Sequence, residues 1–157
     1  MRNLKGFDVT ETEYAALYKA QKAYDAVDPM RNGGTFNQDA MIARNVAQAE
    51  LIEQARTVLA DDRFYEYLKS ADPNYARAAQ FTANYPNITP AMTYELSQIE
   101  RNYQNSMMSL ARSVTPGTTP SADRMAQLTS ARKEYQDKIA SLLGPEAAAA
   151  YAQRGRG

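Results

Sequence analysis

Between Pro90 and Val114 the apolar positions fall at Met92, Leu96, Ile99, Tyr103, Met107, Leu110 and Val114. Steps of three and four residues place them on one stripe of a single long helix. A second stripe, from Ser121 to Leu143, runs through Met125, Leu128, Ala131, Tyr135, Ile139 and Leu142. Between the two lies "TPGTTP", residues 115–120, whose prolines and glycine no continuous helix tolerates. Two long amphipathic helices joined this briefly predict an antiparallel hairpin.

The first half of the chain follows the same plan. A helix from Thr10 to Val27 presents Tyr14, Leu17, Tyr18 and Tyr24, and "DPMRNGGT" at 28–35 breaks it. A longer helix over 37–59 turns Ala40, Ala43, Ala47, Leu51, Ala55 and Val58 inward, the alanines allowing close approach of a partner helix. A short helix then carries Phe64, Tyr67 and Leu68. Residues 71–87 join the halves, with one more short helix around Tyr75 to Phe81. No segment shows the period-two alternation of a strand. The expected fold is all-α, with two tandem units of long helix, loop, long helix and short helix packed as an antiparallel bundle. It forms one domain over residues 1–157, with repeats at 9–70 and 88–153.

The repeat is visible in register. Thr10, Leu17 and Tyr24 correspond to Thr89, Leu96 and Tyr103, each 79 positions later. Val58 and Tyr67 correspond to Leu142 and Tyr151, each 84 positions later, so the difference falls in the long arms or the loop. Chance similarity between amphipathic helices is the competing explanation; agreement in order, loops and helix starts favours the repeat.

Four helix starts share a local grammar: "VTETEY" at 9–14, "LADDRF" at 59–64, "ITPAMT" at 88–93 and "LGPEAA" at 143–148. Thr10 can accept from first-turn amides and Glu13 can reach back, forming a capping box. Pro90 and Pro145 suit the first helical position, and Asp61, Asp62 and Glu146 complement the helix dipole.

Composition narrows the chemistry. Lysine and arginine total 18, aspartate and glutamate 18, so nothing draws the chain to nucleic acid or an anionic membrane. The terminal Arg154-Gly155-Arg156-Gly157 is the one basic spot, and it reads as a frayed tail. Cysteine and histidine are both absent, which removes disulfides, thiol chemistry and the usual base and metal ligand. No apolar run reaches the roughly 20 residues of a membrane span. Residues 1–8 lack the apolar core of a signal peptide, so the chain is either cytosolic or a mature form with a start methionine.

Candidate sites are correspondingly few. Glu50 with Glu53, and Asp61 with Asp62, read as solvated acids, since carboxylate di-metal bundles usually add a histidine. "NGG" at 32–34 lacks the lysine of a phosphate loop and reads as a turn. "NIT" at 87–89 matches a glycosylation sequon, but a proline follows it. Catalytic, cofactor and metal residues are therefore assigned to none. The aromatics say more, because tyrosine occurs 11 times. Tyr94 and Met108 lie off the main stripe and share a second helical face; Tyr65 lies off the Phe64–Tyr67–Leu68 face. These three are the candidate partner-binding residues, with packing inside the chain as the alternative.

The four helix starts resemble the LTxxQ motif of Spy-like and CpxP-like periplasmic helical stress proteins and related heavy-metal sensors. Residues 9–13 and 88–92 match its first letters, with Glu13 and Met92 in place of the glutamine. Arg63 and Ala147 stand there at the other two starts. The stretch "KEYQDKIASLLGPEAAAAY" has the cadence of such a protein's last two helices. The resemblance implies long bent helical hairpins, a cradle-shaped homodimer, export to the periplasm, and a non-enzymatic role on unfolded or signalling proteins. The missing histidines argue against the metal-sensing branch. The expectation is thus a helical binding or scaffold protein acting on a protein partner or unfolded client. The alternatives are an accessory subunit of a larger assembly and a carboxylate- or metal-dependent enzyme.

Overall fold

The computed structural model describes residues 8–28, 31–35, 37–112, 117, 119 and 121–154. Among them the protein is all-α, a helical bundle of seven helices and no strand. They are α1 (Glu11–Val27), α2 (Gln38–Val58), α3 (Asp61–Ala71), α4 (Pro73–Thr82), α5 (Pro90–Arg112), α6 (Ala122–Leu143) and α7 (Pro145–Arg154). Val114 and most of "TPGTTP" lie outside the described residues.

The chain divides into two compact units, Met1–Pro73 and Asn74–Gly157. The boundary falls inside the expected connection at 71–87, so almost all of α4 belongs to the second unit.

In the first unit α1 packs on α2, and α2 on α3. The α1–α2 hairpin is antiparallel: Arg44, early in α2, donates from Nε to the Tyr24 hydroxyl late in α1 at 2.9 Å. At the other end Arg63 of α3 pairs with Glu13 of α1 at 2.9 Å. The capping box forms as the sequence predicts. The Thr10 amide donates to Glu13 Oε2 at 2.9 Å, and the Glu13 amide donates to Thr10 Oγ1 at 3.3 Å. Leu17, Leu51, Ile52, Ala55, Phe64, Tyr67 and Leu68 are buried.

The second unit repeats the hairpin. Arg124 of α6 donates to the Leu110 carbonyl of α5. Midway along, the Tyr103 and Tyr135 rings stack with centroids 4.3 Å apart. Thr89 Oγ1 accepts from the Met92 amide at 3.2 Å, reproducing the Thr10 cap 79 residues later. Helix α7 folds back on α6 through Gly144, whose φ of +81° and ψ of 165° suit only glycine. The core joins Ala78, Leu96, Ile139, Leu143, Ala147 and Tyr151, with Phe81 and Tyr85 packed at its edge.

Several residues sit differently from the expected stripes. Tyr14 and Tyr18 of α1 are 45% and 44% exposed, their rings stacked 6.1 Å apart. Ala43 is exposed and Val46 is 52% exposed; α2 buries its C-terminal half, where α3 covers it, and leaves its first turns open. Met125 of α6 is 52% exposed for the same kind of reason, since α7 packs near the opposite end of that helix. In α5, Thr93, Tyr94, Ser97 and Arg101 are buried beside the stripe. Thr93 earns its place by sharing a 2.9 Å hydrogen bond with Thr82 of α4. Of the expected frayed tail, Arg154 is ordered: it ends α7 and donates to the Arg77 carbonyl at 2.9 Å, while Gly155, Arg156 and Gly157 lie outside the described residues.

Leu17 is 2% exposed and Leu96 is fully buried, so the two equivalent leucines occupy the same kind of position. Leu17→Ala and Leu96→Ala are each expected to cost about 2–5 kcal/mol, whereas exposed Met125→Ala should stay within about 0.5 kcal/mol. Urea unfolding followed by far-ultraviolet circular dichroism checks this; a Met125 effect as large as the leucine effects would contradict the assigned core.

Candidate functional site

The residues singled out in the sequence fall in both units. Tyr65 is half-buried in the first unit, its ring 5.5 Å from that of Phe64. In the second unit Tyr94 is buried at 9% exposure and Met108 is half-buried. "NGG" is part of the α1–α2 turn, where Asn32 donates from its side chain to the Ala26 carbonyl at 2.6 Å. The threonine of "NIT" is the α5 cap. Glu50, Asp61 and Asp62 are exposed, and among the described residues no three histidine, cysteine, aspartate or glutamate side chains gather around a metal-sized space.

A groove of about 790 Å³ opens in the second unit, within the size range of ligand pockets. Its construction follows from the helix sequences. Helix α7 turns Ala148, Ala149 and Ala152 toward it, and these short side chains leave the space empty. Helices α5 and α6 supply Tyr103, Gln104, Arg132, Tyr135 and Gln136 along the walls. Arg77 of α4 and Arg154 of α7 are neighbours in the lining, joined by the Arg154 bond to the Arg77 carbonyl.

Tyr151 is the fixed point at the base. It is 8% exposed and meets Phe81 edge-on, with centroids 4.9 Å apart. Its hydroxyl donates to Glu100 Oε1. Arg154 lies 6.0 Å over the Phe81 ring, which holds that guanidinium at the rim. Arg132, Gln104 and Gln136, by contrast, have no hydrogen-bond or ion-pair partner among the described residues.

Electrostatics favour donation by the groove. Three guanidiniums face a single carboxylate, Glu100, which already accepts from Tyr151. Burial pushes the Tyr135 hydroxyl up to about 12, with help from the Glu100 charge and Tyr103. Burial, the bond to Glu100 and the Glu100 charge push Tyr151 further in the same direction. Both phenols therefore stay protonated at neutral pH and act as hydrogen-bond donors. The walls combine flat aromatic faces, amides that both donate and accept, and planar cations. That combination is chemically suited to stacking and hydrogen bonding with a ligand.

Sequence reasoning missed this site because it placed Tyr103 and Tyr135 on core stripes and read "AAAA" at 147–150 only as helix. The available signal was that alanine run beside Tyr151, where the first unit carries large residues. No protein-family model, curated protein or solved structure matches this chain.

The raised phenols give a pH test. A tyrosine whose folded pKa lies above its unfolded value stabilises the fold fully below the unfolded pKa, about 10, and loses that contribution as pH rises through the folded value. Tyr67, which burial also raises to about 12, Tyr135 and Tyr151 should therefore ionise late. Absorbance at 295 nm should show a late fraction in the folded chain that disappears in denaturant, with stability falling above about pH 10. Tyr151→Phe should remove part of the late fraction; an unchanged curve would contradict its burial.

Proposed function

We propose that the protein is a non-enzymatic helical binding protein that holds a segment of another polypeptide in the groove of its second unit. The observation that carries this reading is the groove's lining: tyrosine and arginine, side chains that often anchor protein contacts, beside amides with no partner among the described residues. Gln104 and Gln136 offer a donor and an acceptor each, which suits the peptide backbone of an extended segment. An open groove between rigid helices admits such a segment without rebuilding the fold.

The chaperone form of the reading draws on the resemblance to LTxxQ-motif proteins. Its support here is that Thr10 and Thr89, the threonines of the motif-like starts, cap α1 and α5 in the same way. In that form the clients are unfolded chains, the protein acts outside the cytoplasm, and a homodimer is its working state. No helix of the described residues is long and apolar enough to cross a membrane.

A second reading, an accessory subunit, is favoured by one observation. Tyr14, Tyr18 and Val27 on α1 and Val46 on α2 remain between 44% and 52% exposed. A permanently bound subunit would cover such residues. Copurification with one fixed partner in constant stoichiometry would support that form.

Light scattering from an aggregating, chemically denatured client tests the chaperone form. Suppression is expected at equimolar to moderate excess of the protein, and an Arg132→Glu, Gln136→Ala double variant should suppress several-fold less. No suppression at large excess would remove the chaperone form. Suppression unaffected by the double variant would move the binding surface away from the groove.

A further inference from the structure

After α4, helices α5, α6 and α7 of the second unit follow the order of α1, α2 and α3 in the first, and the first shows what fills the space that the second leaves open. At the offset of 84 that aligns Tyr67 with Tyr151, both buried, the groove alanines Ala148, Ala149 and Ala152 stand where α3 has Phe64, Tyr65 and Leu68. On the facing helix, exposed Gln136 stands where α2 has Ile52, which is 1% exposed. Phe64 is 2% exposed and lies 6.0 Å beneath the Arg56 guanidinium. In the first unit, then, an aromatic ring under an arginine is supplied by the chain itself. In the second, Phe81 of α4 lies under Arg154, but alanines hold the positions that match Phe64, Tyr65 and Arg56, at Ala148, Ala149 and Ala140. The space beside the Tyr103–Tyr135 pair is left open, with Arg132 in its lining.

We propose that the groove takes an aromatic side chain from an acidic segment of another polypeptide, in the space that Phe64 and Tyr65 occupy in the first unit. This rests on the reading of the groove as a polypeptide site and specifies its ligand. The aromatic preference follows from the alanine-lined space beside the stacked Tyr103–Tyr135 pair, where a third ring completes offset or edge contacts. The acidic preference follows from charge: Arg77, Arg132 and Arg154 against Glu100 alone. Arg132 has no partner among the described residues, so a ligand carboxylate meets a guanidinium that gives up no internal bond. A basic segment would place its cations among three arginines.

Fluorescence anisotropy with three labelled, end-blocked peptides tests this on the full chain. The first is Gly-Asp-Glu-Phe-Asp-Gly-Ser, the second replaces its phenylalanine by alanine, and the third replaces its acids by lysine. The first should bind with a dissociation constant on the order of micromolar, and the other two about tenfold more weakly or worse. Ala149→Tyr, at an exposed helical position, should plug the groove and weaken the first peptide about tenfold while helicity is retained. Arg132→Glu should weaken the first peptide and relieve the penalty on the third. Equal binding of all three peptides, or preference for the lysine peptide, overturns the proposed ligand while leaving a polypeptide site in place. Absence of binding by every peptide and by a denatured client overturns both.

Discussion

The second unit is organised around the side chain of Tyr151. Its ring packs edge-on against Phe81 of α4, and its hydroxyl reaches Glu100 of α5, 51 residues away in sequence. One residue therefore ties α7 to two other helices at once. A buried phenol needs a hydrogen-bond partner, and Glu100 satisfies it while burial and that acid hold the proton in place. With α7 anchored there, its neighbouring residues need not contribute bulk, and Ala148, Ala149 and Ala152 leave a groove beside a well-packed core. In the first unit Tyr67, at the matching position, is buried too, and so are the bulky Phe64 and Leu68 of the same helix.

The fold was legible because its signals are local. The stripe through Leu96, the cap at Thr10, the prolines at 90 and 145 and the broken stretch at 28–35 each act within a few residues, and the helices begin and end close to them. What stripes do not reveal is how far a neighbour extends along a helix. Tyr14, Tyr18 and Met125 have the spacing of core residues, yet each remains about half exposed among the described residues. Thr93 and Ser97 show the converse, polar residues buried because Thr93 bonds Thr82 and Ser97 bonds the Tyr94 carbonyl at 2.6 Å. Periodicity of hydrophobic residues cannot register that kind of burial.

The site was less legible than the fold for a related reason. A groove is made by what side chains lack, and an alanine run reads in sequence as good helix former rather than as missing volume. Comparing the repeats position by position supplies the contrast that one repeat hides. Seen this way the two units differ in one respect: large side chains hold the positions of α3 that alanines hold in α7, and the groove lies beside those alanines. The proposed function uses that asymmetry, and the exposed Tyr14–Tyr18 pair on α1 is its rival as a contact surface.

Nuclear magnetic resonance separates the two surfaces directly. Amide shifts of the isotopically labelled protein, followed while an unlabelled denatured client is added, should move at Gln104, Arg132, Gln136 and Ala149. Shifts confined to the α1 face around Tyr14 and Tyr18, with those groove amides unmoved, would contradict the account.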